Sequence, residues 1–235
     1  MKNEHKDFIN NNYKDFLGIF SEKKIYPALY LYLNPRNIDY ILNRLSLDRT
    51  VYRTDGIYLT SLLNTIFPIE KGRNRQSFDF TSLANPFFKR LSRTDEKLFM
   101  AGGGIEEVRD FVDIVRDLYP GINIVGYCSG YEGFQKIEEK VENLSPNVIM
   151  LGLGNIKQEE YGNLLVDRFN IPVFTCGAFI SQTARSKNGE YYPKWINKLE
   201  LRWLFRFIKE PHTIVRVVKH YPMFFFKMIK IALSR

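Results

Sequence analysis

Residues 147–179 read NVIMLGLGNIKQEEYGNLLVDRFNIPVFTCGAF, and this stretch decides the fold class. It begins with an apolar run at 147–154, continues with apolar residues at helical spacing at 157–169, and ends in a second apolar run at 171–179. A strand that is apolar along its whole length is covered on both faces, as in parallel sheets. Two such strands joined by an amphipathic helix therefore predict a β-α-β unit.

The same alternation extends toward the N-terminus. Further strands are predicted at 28–34, 50–59 (strand and turn), 97–103 and 122–127, and helices at 37–45, 60–67, 80–93, 105–121 and 134–144. We expect Thr60 to cap the helix at 60–67 and Pro86 to interrupt the helix at 80–93. The whole pattern predicts an α/β fold, a Rossmann-like parallel sheet flanked by helices.

Near residue 200 the composition becomes basic and aromatic. From Arg202 to Arg235 the chain carries eight lysines and arginines and one glutamate, which is nearly all of the formal net charge of +8. We predict one domain at 1–200 and a basic helical C-terminal appendage at 201–235. The segment MFFFKMIKIAL (223–233) mixes aromatic residues with lysines, as helices on anionic membrane surfaces do. Nucleic acid is the competing partner for such a tail, but no nucleic-acid-binding motif accompanies it, so none is expected.

The cysteines and the N-terminus indicate a cytosolic protein. Cys128 and Cys176 each lie inside an apolar run, which is typical of reduced core residues. The first residues are polar and contain no apolar signal segment, so secretion is not expected. No run of 18 apolar residues occurs, and we therefore expect no membrane-spanning helix.

In a parallel α/β sheet, ligands bind beyond the carboxyl ends of the strands. Those ends carry one carboxylate (Asp55), two amides (Asn34 and Gln158) and glycine turns at 102–104, 126–131 and 152–158. Neither GxGxxG nor GxxxxGK[ST] occurs, so the common nucleotide fingerprints are absent. The three histidines lie near the chain ends and there is no Asp-x-Asp, so no metal site is predicted. Amides and a carboxylate suit a ligand rich in hydroxyl groups.

Five sequence blocks occur in a fixed order: GGG-IEEV (102–108), YPG-INIVGY (119–127), SGY (129–131), LGLGNIKQEE (151–160) and W-LFRFIKEP (203–211). In order and spacing this set resembles the WecG/TagA/CpsF glycosyltransferases, and the similarity covers roughly residues 28 to 226. The chain departs from the family pattern at several positions. Tyr32 stands where a threonine is common, and Ile156 stands where a proline precedes the Lys-Gln-Glu sequence. Further departures lie at Ser129, Arg202 and Thr213.

The resemblance implies the activity and several site residues. Such enzymes transfer a sugar, typically N-acetylmannosamine or a related hexose, from a UDP donor to a polyprenyl-diphosphate-linked saccharide. They invert the anomeric centre and work at the cytoplasmic membrane face in the synthesis of bacterial surface polysaccharides. The family's general base matches Asp55, and the matching substrate-contacting residues are Asn34, Gln158, Glu159, Arg206 and, more loosely, Arg216. From their places at strand ends we add Gly102, Gly103, Gly104, Tyr131 and Gly154. No cofactor or metal is expected.

Each of these interpretations has an alternative. Asp55 could form a hairpin turn with Gly56, the glycines at 102–104 could serve close packing, and Gln158 and Glu159 could be a solvated helical turn. Arg73 and Arg75 could be surface charges or could lie near a diphosphate. The chain could instead be a glucosyl- or other hexosyltransferase of exopolysaccharide assembly, or a non-catalytic membrane adaptor with the same fold.

Overall fold

The computed structural model describes residues 2–186 and 212–233. Its centre is one six-stranded sheet, in which the strands are β1 (Leu29–Leu33), β2 (Thr50–Thr54), β3 (Leu98–Gly102), β4 (Ile124–Cys128), β5 (Val148–Gly152) and β6 (Val173–Thr175). They lie in the order β2-β1-β6-β5-β3-β4, and every neighbouring pair is parallel. The predicted α/β class with a parallel sheet is confirmed.

Helices cover both faces of this sheet. In chain order they are α1 (Lys2–Asn11), α2 (Phe16–Ser21), α3 (Ile38–Arg44), α4 (Ile57–Ile66), α5 (Ala84–Leu91), α6 (Ile105–Leu118), α7 (Phe134–Leu144), α8 (Lys157–Phe169), α9 (Phe179–Arg185) and α10 (His212–Ala232). Alternate strand residues enter two hydrophobic clusters, so that Tyr30 faces α2 and α5 while Leu29 and Leu31 face the opposite layer. This division explains why the strands read as continuous apolar runs.

Two predicted helix boundaries are wrong for local reasons. Helix α4 begins at Ile57 after Gly56, so Thr60 lies inside the first turn and does not cap it. The Thr60 hydroxyl donates to the Gly56 carbonyl, 2.8 Å away. Helix α5 begins only at Ala84, so Pro86 lies in its first turn and does not interrupt it. An N–H in the first turn has no partner within the helix, and proline is therefore tolerated there.

The N-terminal helices α1 and α2 were not predicted, and two buried arginines fix this region to β2. The Arg53 guanidinium donates to the Lys14 carbonyl at 3.0 Å and to the Asn74 side chain. Arg73 donates to the Ile9 carbonyl at 2.7 Å and has only 4% of its surface exposed. The Tyr13 ring contacts both guanidinium groups. The interpretation of Arg73 as a surface charge is therefore wrong, because it holds α1 in place.

Helix α10 packs against the domain as part of its hydrophobic core. Its residues Phe224, Met228 and Ile231 are buried in the same cluster as β1 and α4. Lys227 pairs with Asp39 of α3. No helix in the described part of the chain is long and apolar enough to cross a membrane. The predicted division at residue 200 stays a prediction, since residues 187–211 lie outside the described residues.

Candidate active site

The carboxyl ends of β1 and β2 bring Asn34 and Asp55 together. The two strands pair in register up to Leu33 and Thr54. Asn34 directly follows β1 and Asp55 directly follows β2, so the two residues are neighbours at this edge. The Asp55-Gly56 dipeptide leads into α4 and not into a hairpin, so the hairpin interpretation is wrong. Asp55 thus stands at the sheet edge where parallel α/β proteins bind their ligands.

The Asp55 side chain is accessible. About half of it is exposed (52%), and its Oδ1 lies 4.0 Å from Nε of Arg75. The same Nε donates to the main-chain carbonyl of Asp55 at 2.8 Å. Since Asp55 directly precedes the helix capped by Gly56, the dipole of α4 favours a negative charge there. The sequence allowed Arg75 to be a surface charge or a residue near a diphosphate. In the structure it holds the loop that carries Asp55.

Asn34 is paired with the loop after β5. Its Nδ2 donates to Oδ1 of Asn155 at 3.1 Å, and Nδ2 of Asn155 donates back to Oδ1 of Asn34 at 3.1 Å. The Asn34 Oδ1 also accepts from the main-chain N–H of Arg36 at 2.9 Å. The LGLGNIKQEE segment is thereby attached to β1, two strands away in the sheet.

Gln158 and Glu159 lie beneath this loop, with 5% and 0% of their surfaces exposed. The Gln158 Oε1 accepts from the main-chain N–H of Gly177, which follows β6, at 3.2 Å. The Glu159 Oε1 accepts from Nδ2 of Asn37 at 2.8 Å, and burial raises the pKa of this carboxyl group. The interpretation as a solvated turn is wrong, because both side chains connect strand ends. Their predicted substrate contacts stay predictions.

The glycine turn after β3 lies at the switch point of the sheet. The adjacent strands β3 and β5 continue into α6 and α8, which lead to opposite sides, and parallel α/β proteins bind ligands beyond the strand ends at such a point. A Cβ on Gly102 would lie 2.6 Å from Cδ1 of Ile180, which is a packing constraint. Gly103 has a φ of +59°, and the Gly104 N–H donates to Glu107 Oε2 at 2.8 Å. Packing and capping account for these glycines, and their ligand contacts stay predictions.

Of four more predicted residues, two are exposed, and the side chains of the other two lie outside the described part of the chain. Tyr131 is 81% exposed in the loop after β4. Gly154 has a φ of +81°, and nothing lies within 4 Å of the position that a Cβ would take. Arg206 lies outside the described residues, and of Arg216 only the place within the backbone of α10 is described.

Sequence reasoning missed two polar residues at this edge. Lys157 Nζ donates to the Gly130 carbonyl at 2.8 Å and so joins the loops after β4 and β5. Asp79 accepts from the Ser77 hydroxyl at 2.6 Å and the Thr81 N–H at 2.9 Å, and it acts electrostatically on Tyr32. Both residues are hard to recognise from the sequence alone. Lys157 lies inside the LGLGNIKQEE block, and Asp79 is a single aspartate in the segment FDFTSLANPFF (78–88). Among the described residues, no three His, Cys, Asp or Glu side chains are grouped as metal ligands would be.

A parallel sheet covered on both faces, with a carboxylate and amides at its carboxyl edge, defines an α/β protein of the class that binds ligands at this edge. Comparison with known proteins gives the class more narrowly. Residues 39–235 match the model of the glycosyl transferase WecG/TagA/CpsF family. The chain belongs to this family and is a glycosyltransferase, as the sequence predicted, and the alternative of a non-catalytic adaptor is set aside.

Individual relatives differ in the sugar that they transfer. The chain is 32% identical, over 88% of its length and 88% of the relative's, to the UDP-Gal:alpha-D-GlcNAc-diphosphoundecaprenol beta-1,4-galactosyltransferase of Shigella boydii. It is 26% identical to the N-acetylglucosaminyldiphosphoundecaprenol N-acetyl-beta-D-mannosaminyltransferase of Bacillus subtilis (strain 168), over 53% of this chain and 50% of that protein. The corresponding Bacillus spizizenii enzyme is also 26% identical, over 53% of this chain.

Proposed function

We propose that this glycosyltransferase transfers a hexose from a UDP donor to N-acetylglucosamine linked to diphosphoundecaprenol, with inversion at the anomeric carbon. The relatives' names support the acceptor, and their β-linked products favour inversion of an α-linked donor. The observation that carries the proposal is the accessible Asp55 carboxylate beside Asn34 at the carboxyl ends of β1 and β2.

In the proposed reaction, Asp55 accepts the proton of the acceptor hydroxyl while that oxygen forms its bond to the anomeric carbon. The bond from the anomeric carbon to the β-phosphate oxygen breaks, and UDP leaves with the electron pair. Asn34 positions the sugar, and Arg206 and Arg216 offset the charge of the leaving diphosphate. The amide pair with Asn155 fixes Asn34 in advance, so its orientation needs no rearrangement during transfer.

The Asp55→Asn variant tests the role of the base. Transfer should fall by about a hundredfold to ten-thousandfold, because the amide cannot take the proton, while binding of the UDP-sugar is retained. Asp95→Asn is the matched control, since Asp95 is an exposed aspartate before β3 at the opposite edge of the sheet. Undiminished transfer by Asp55→Asn would contradict the proposal.

Galactose is the sugar that we propose first. The match to the galactosyltransferase covers most of both chains, whereas the matches to the mannosaminyltransferases cover about half. N-acetylmannosamine, which the resemblance implied, is the second candidate, and glucose is the third. Incubating the protein with each UDP-sugar and N-acetylglucosaminyl diphosphoundecaprenol should give product with UDP-galactose. Product with UDP-N-acetylmannosamine alone would reverse this order.

We further propose that transfer needs no metal ion. The sequence lacks the Asp-x-Asp by which many nucleotide-sugar enzymes hold a divalent cation on diphosphate. The transfer rate should therefore be unchanged by EDTA. A rate that falls with EDTA and returns with Mg²⁺ or Mn²⁺ would contradict the proposal.

We also propose that α10 attaches the protein to the inner face of the cytoplasmic membrane. One stripe of the helix is exposed and both apolar and basic, at helical spacing: Lys219, Met223, Phe226, Lys230 and Leu233. It lies opposite the buried face, and each lysine near an anionic surface contributes about 1 kcal/mol to attachment. The Tyr221 hydroxyl would lie 3.8 Å from a Cβ at Gly56, so the helix adjoins the Asp55 loop. A lipid-linked acceptor would then reach the base from the membrane side.

Vesicle co-sedimentation tests this surface. Phe226→Glu should weaken binding to vesicles that contain anionic lipid, because Phe226 is 70% exposed on the proposed stripe. Leu118→Glu is the matched control, since Leu118 is 57% exposed on α6, on the other face of the sheet. Equal binding by both variants would exclude the stripe as the contact.

A further inference from the structure

The Tyr32 side chain lies at the end of β1 with its hydroxyl group buried. Its ring meets the Phe16 ring edge-on, with centroids 6.0 Å apart, and packs on the cluster around α2. Among the residues that the structure describes, none forms a hydrogen bond with the Tyr32 hydroxyl. Buried polar groups in native proteins almost always have a partner, and a phenol in this position therefore points to a ligand.

The register of the sheet directs this hydroxyl toward the active site. Tyr32 pairs with Arg53 in the parallel ladder, and Asp55 follows two residues after Arg53. Because side chains two residues apart lie on the same face, Tyr32 and Asp55 share one side of the sheet. The carboxylate of Asp79 also acts on the phenol from the segment before α5. The Tyr32 hydroxyl therefore lies on the same side of the sheet as Asp55, is acted on electrostatically by two carboxylates, and forms a hydrogen bond with neither.

The surroundings restrict the chemistry of the ligand. Burial, followed by the Asp55 carboxylate, raises the pKa of Tyr32 well above its ordinary value, so the group is a neutral phenol that can donate one hydrogen bond. The Asp55 and Asp79 carboxylates together outweigh the Arg53 guanidinium in their effect on the phenol, so an anionic group is disfavoured there, and a cation could not accept the bond. A sugar hydroxyl can accept from the phenol and donate to a carboxylate at the same time.

We propose that Tyr32 is a specificity-determining residue whose hydroxyl donates a hydrogen bond to a pyranose hydroxyl of a sugar bound at Asp55. The inference rests on the proposed glycosyl transfer and adds a contact within that site. The sugar is either the hexose of the donor or the N-acetylglucosamine of the acceptor, since both carry hydroxyl groups. Whichever substrate supplies the hydroxyl is the one whose KM depends on the phenol.

Removing only the hydroxyl tests the inference. Tyr32→Phe should lower kcat/KM about fivefold to a hundredfold, through a higher KM for one of the two substrates, because that substrate loses a buried partner. Its melting temperature should not fall, since no described residue loses a hydrogen bond. Tyr30→Phe is the matched control on the same strand, because the Tyr30 hydroxyl donates to the Tyr26 carbonyl at 2.8 Å. That variant should melt earlier and keep its kcat/KM.

The outcomes separate this inference from the proposed function. A higher KM for the UDP-sugar assigns the contact to the donor, and a higher KM for the lipid acceptor assigns it to the acceptor. An active wild type with identical kinetics for Tyr32→Phe and Tyr30→Phe overturns the inference alone. The inference is also overturned if Tyr32→Phe leaves both KM values unchanged and shifts only the acidic limb of the pH profile of the transfer rate. In that case the phenol would act through Asp55 and not on the sugar. A wild type that transfers no sugar overturns both.

Discussion

Replacing Glu159 with glutamine is expected to remove a pH dependence from the stability of the fold. The Glu159 carboxyl group has no exposed surface, and its Oε1 accepts from Asn37 and Gln158 at 2.8 and 3.3 Å. Its Oε2 is buried and has no hydrogen-bond partner among the described residues. Burial therefore raises the pKa of Glu159, because a charge in this position is poorly solvated. Glutamine keeps the acceptor Oε1 and cannot ionise.

The sign and size of the effect follow from the proton balance. The unfolded chain releases the Glu159 proton near a pKa of about 4.3, whereas the folded protein retains it to a higher pH. Between these two pKa values the folded state binds more protons, so the free energy of unfolding falls as the pH rises. The slope approaches about 1.4 kcal/mol per pH unit and ends above the folded-state pKa. The wild type should therefore lose stability relative to Glu159→Gln as the pH rises through this window.

Urea denaturation from about pH 4 to about pH 8 measures this difference. The free energy of unfolding of Glu159→Gln minus that of the wild type should increase with pH and then become constant. Glu160→Gln serves as the control, because Glu160 is the next residue of α8 and is exposed. A difference between wild type and Glu159→Gln that stays constant over the whole range would refute the reasoning.

Three further substitutions test other parts of the structure. Arg73→Met should lower the free energy of unfolding by about 3 kcal/mol in urea denaturation, because buried carbonyl groups lose their donor. Gly102→Ala should destabilise the fold by about 1–3 kcal/mol in thermal melting, since its Cβ would lie 2.6 Å from a side-chain carbon of α9. Gly133→Ala is the control and should not destabilise the fold, because nothing lies within 4 Å of the position that its Cβ would take. Asn155→Ala should slow sugar transfer about threefold to tenfold, because Asn34 loses its amide partner, and the two lost hydrogen bonds should also lower the melting temperature slightly.

The sheet could be predicted because its strands are apolar on both faces. Runs such as NVIMLGLG allow few structures other than a buried parallel strand, and five amphipathic helices beside such runs were also located near their observed bounds. Helix α1 was missed because it has few buried residues, and α2 was missed because it is only six residues long, although it buries Phe16, Ile19 and Phe20. Phe8 and Ile9 supply the contacts of α1, and their spacing shows no extended helical stripe. Helices held by tertiary contacts leave only a weak local signal.

Asp55 and Asn34 could be located in advance because parallel strands align their carboxyl ends. The functions of Gln158, Glu159 and Arg73 within the fold could not. Polarity suggested exposure for all three, yet each is buried with hydrogen-bond partners far away in the sequence. A single sequence does not encode which distant carbonyl or amide a polar side chain will meet. The unbonded hydroxyl of Tyr32 likewise became visible only in three dimensions.

The turn at Ile156 limits how far one family member can serve as a template for another. Ile156 has a φ of +72° and a ψ of −51°, a backbone conformation that is unfavourable for a β-branched residue. Proline, which stands here in the family pattern, has a φ of about −65° and cannot adopt this conformation. Relatives with that proline must therefore run their chain through a different turn. The neighbouring Gly154 and Asn155 therefore have positions that a chain with that proline cannot reproduce by the same turn.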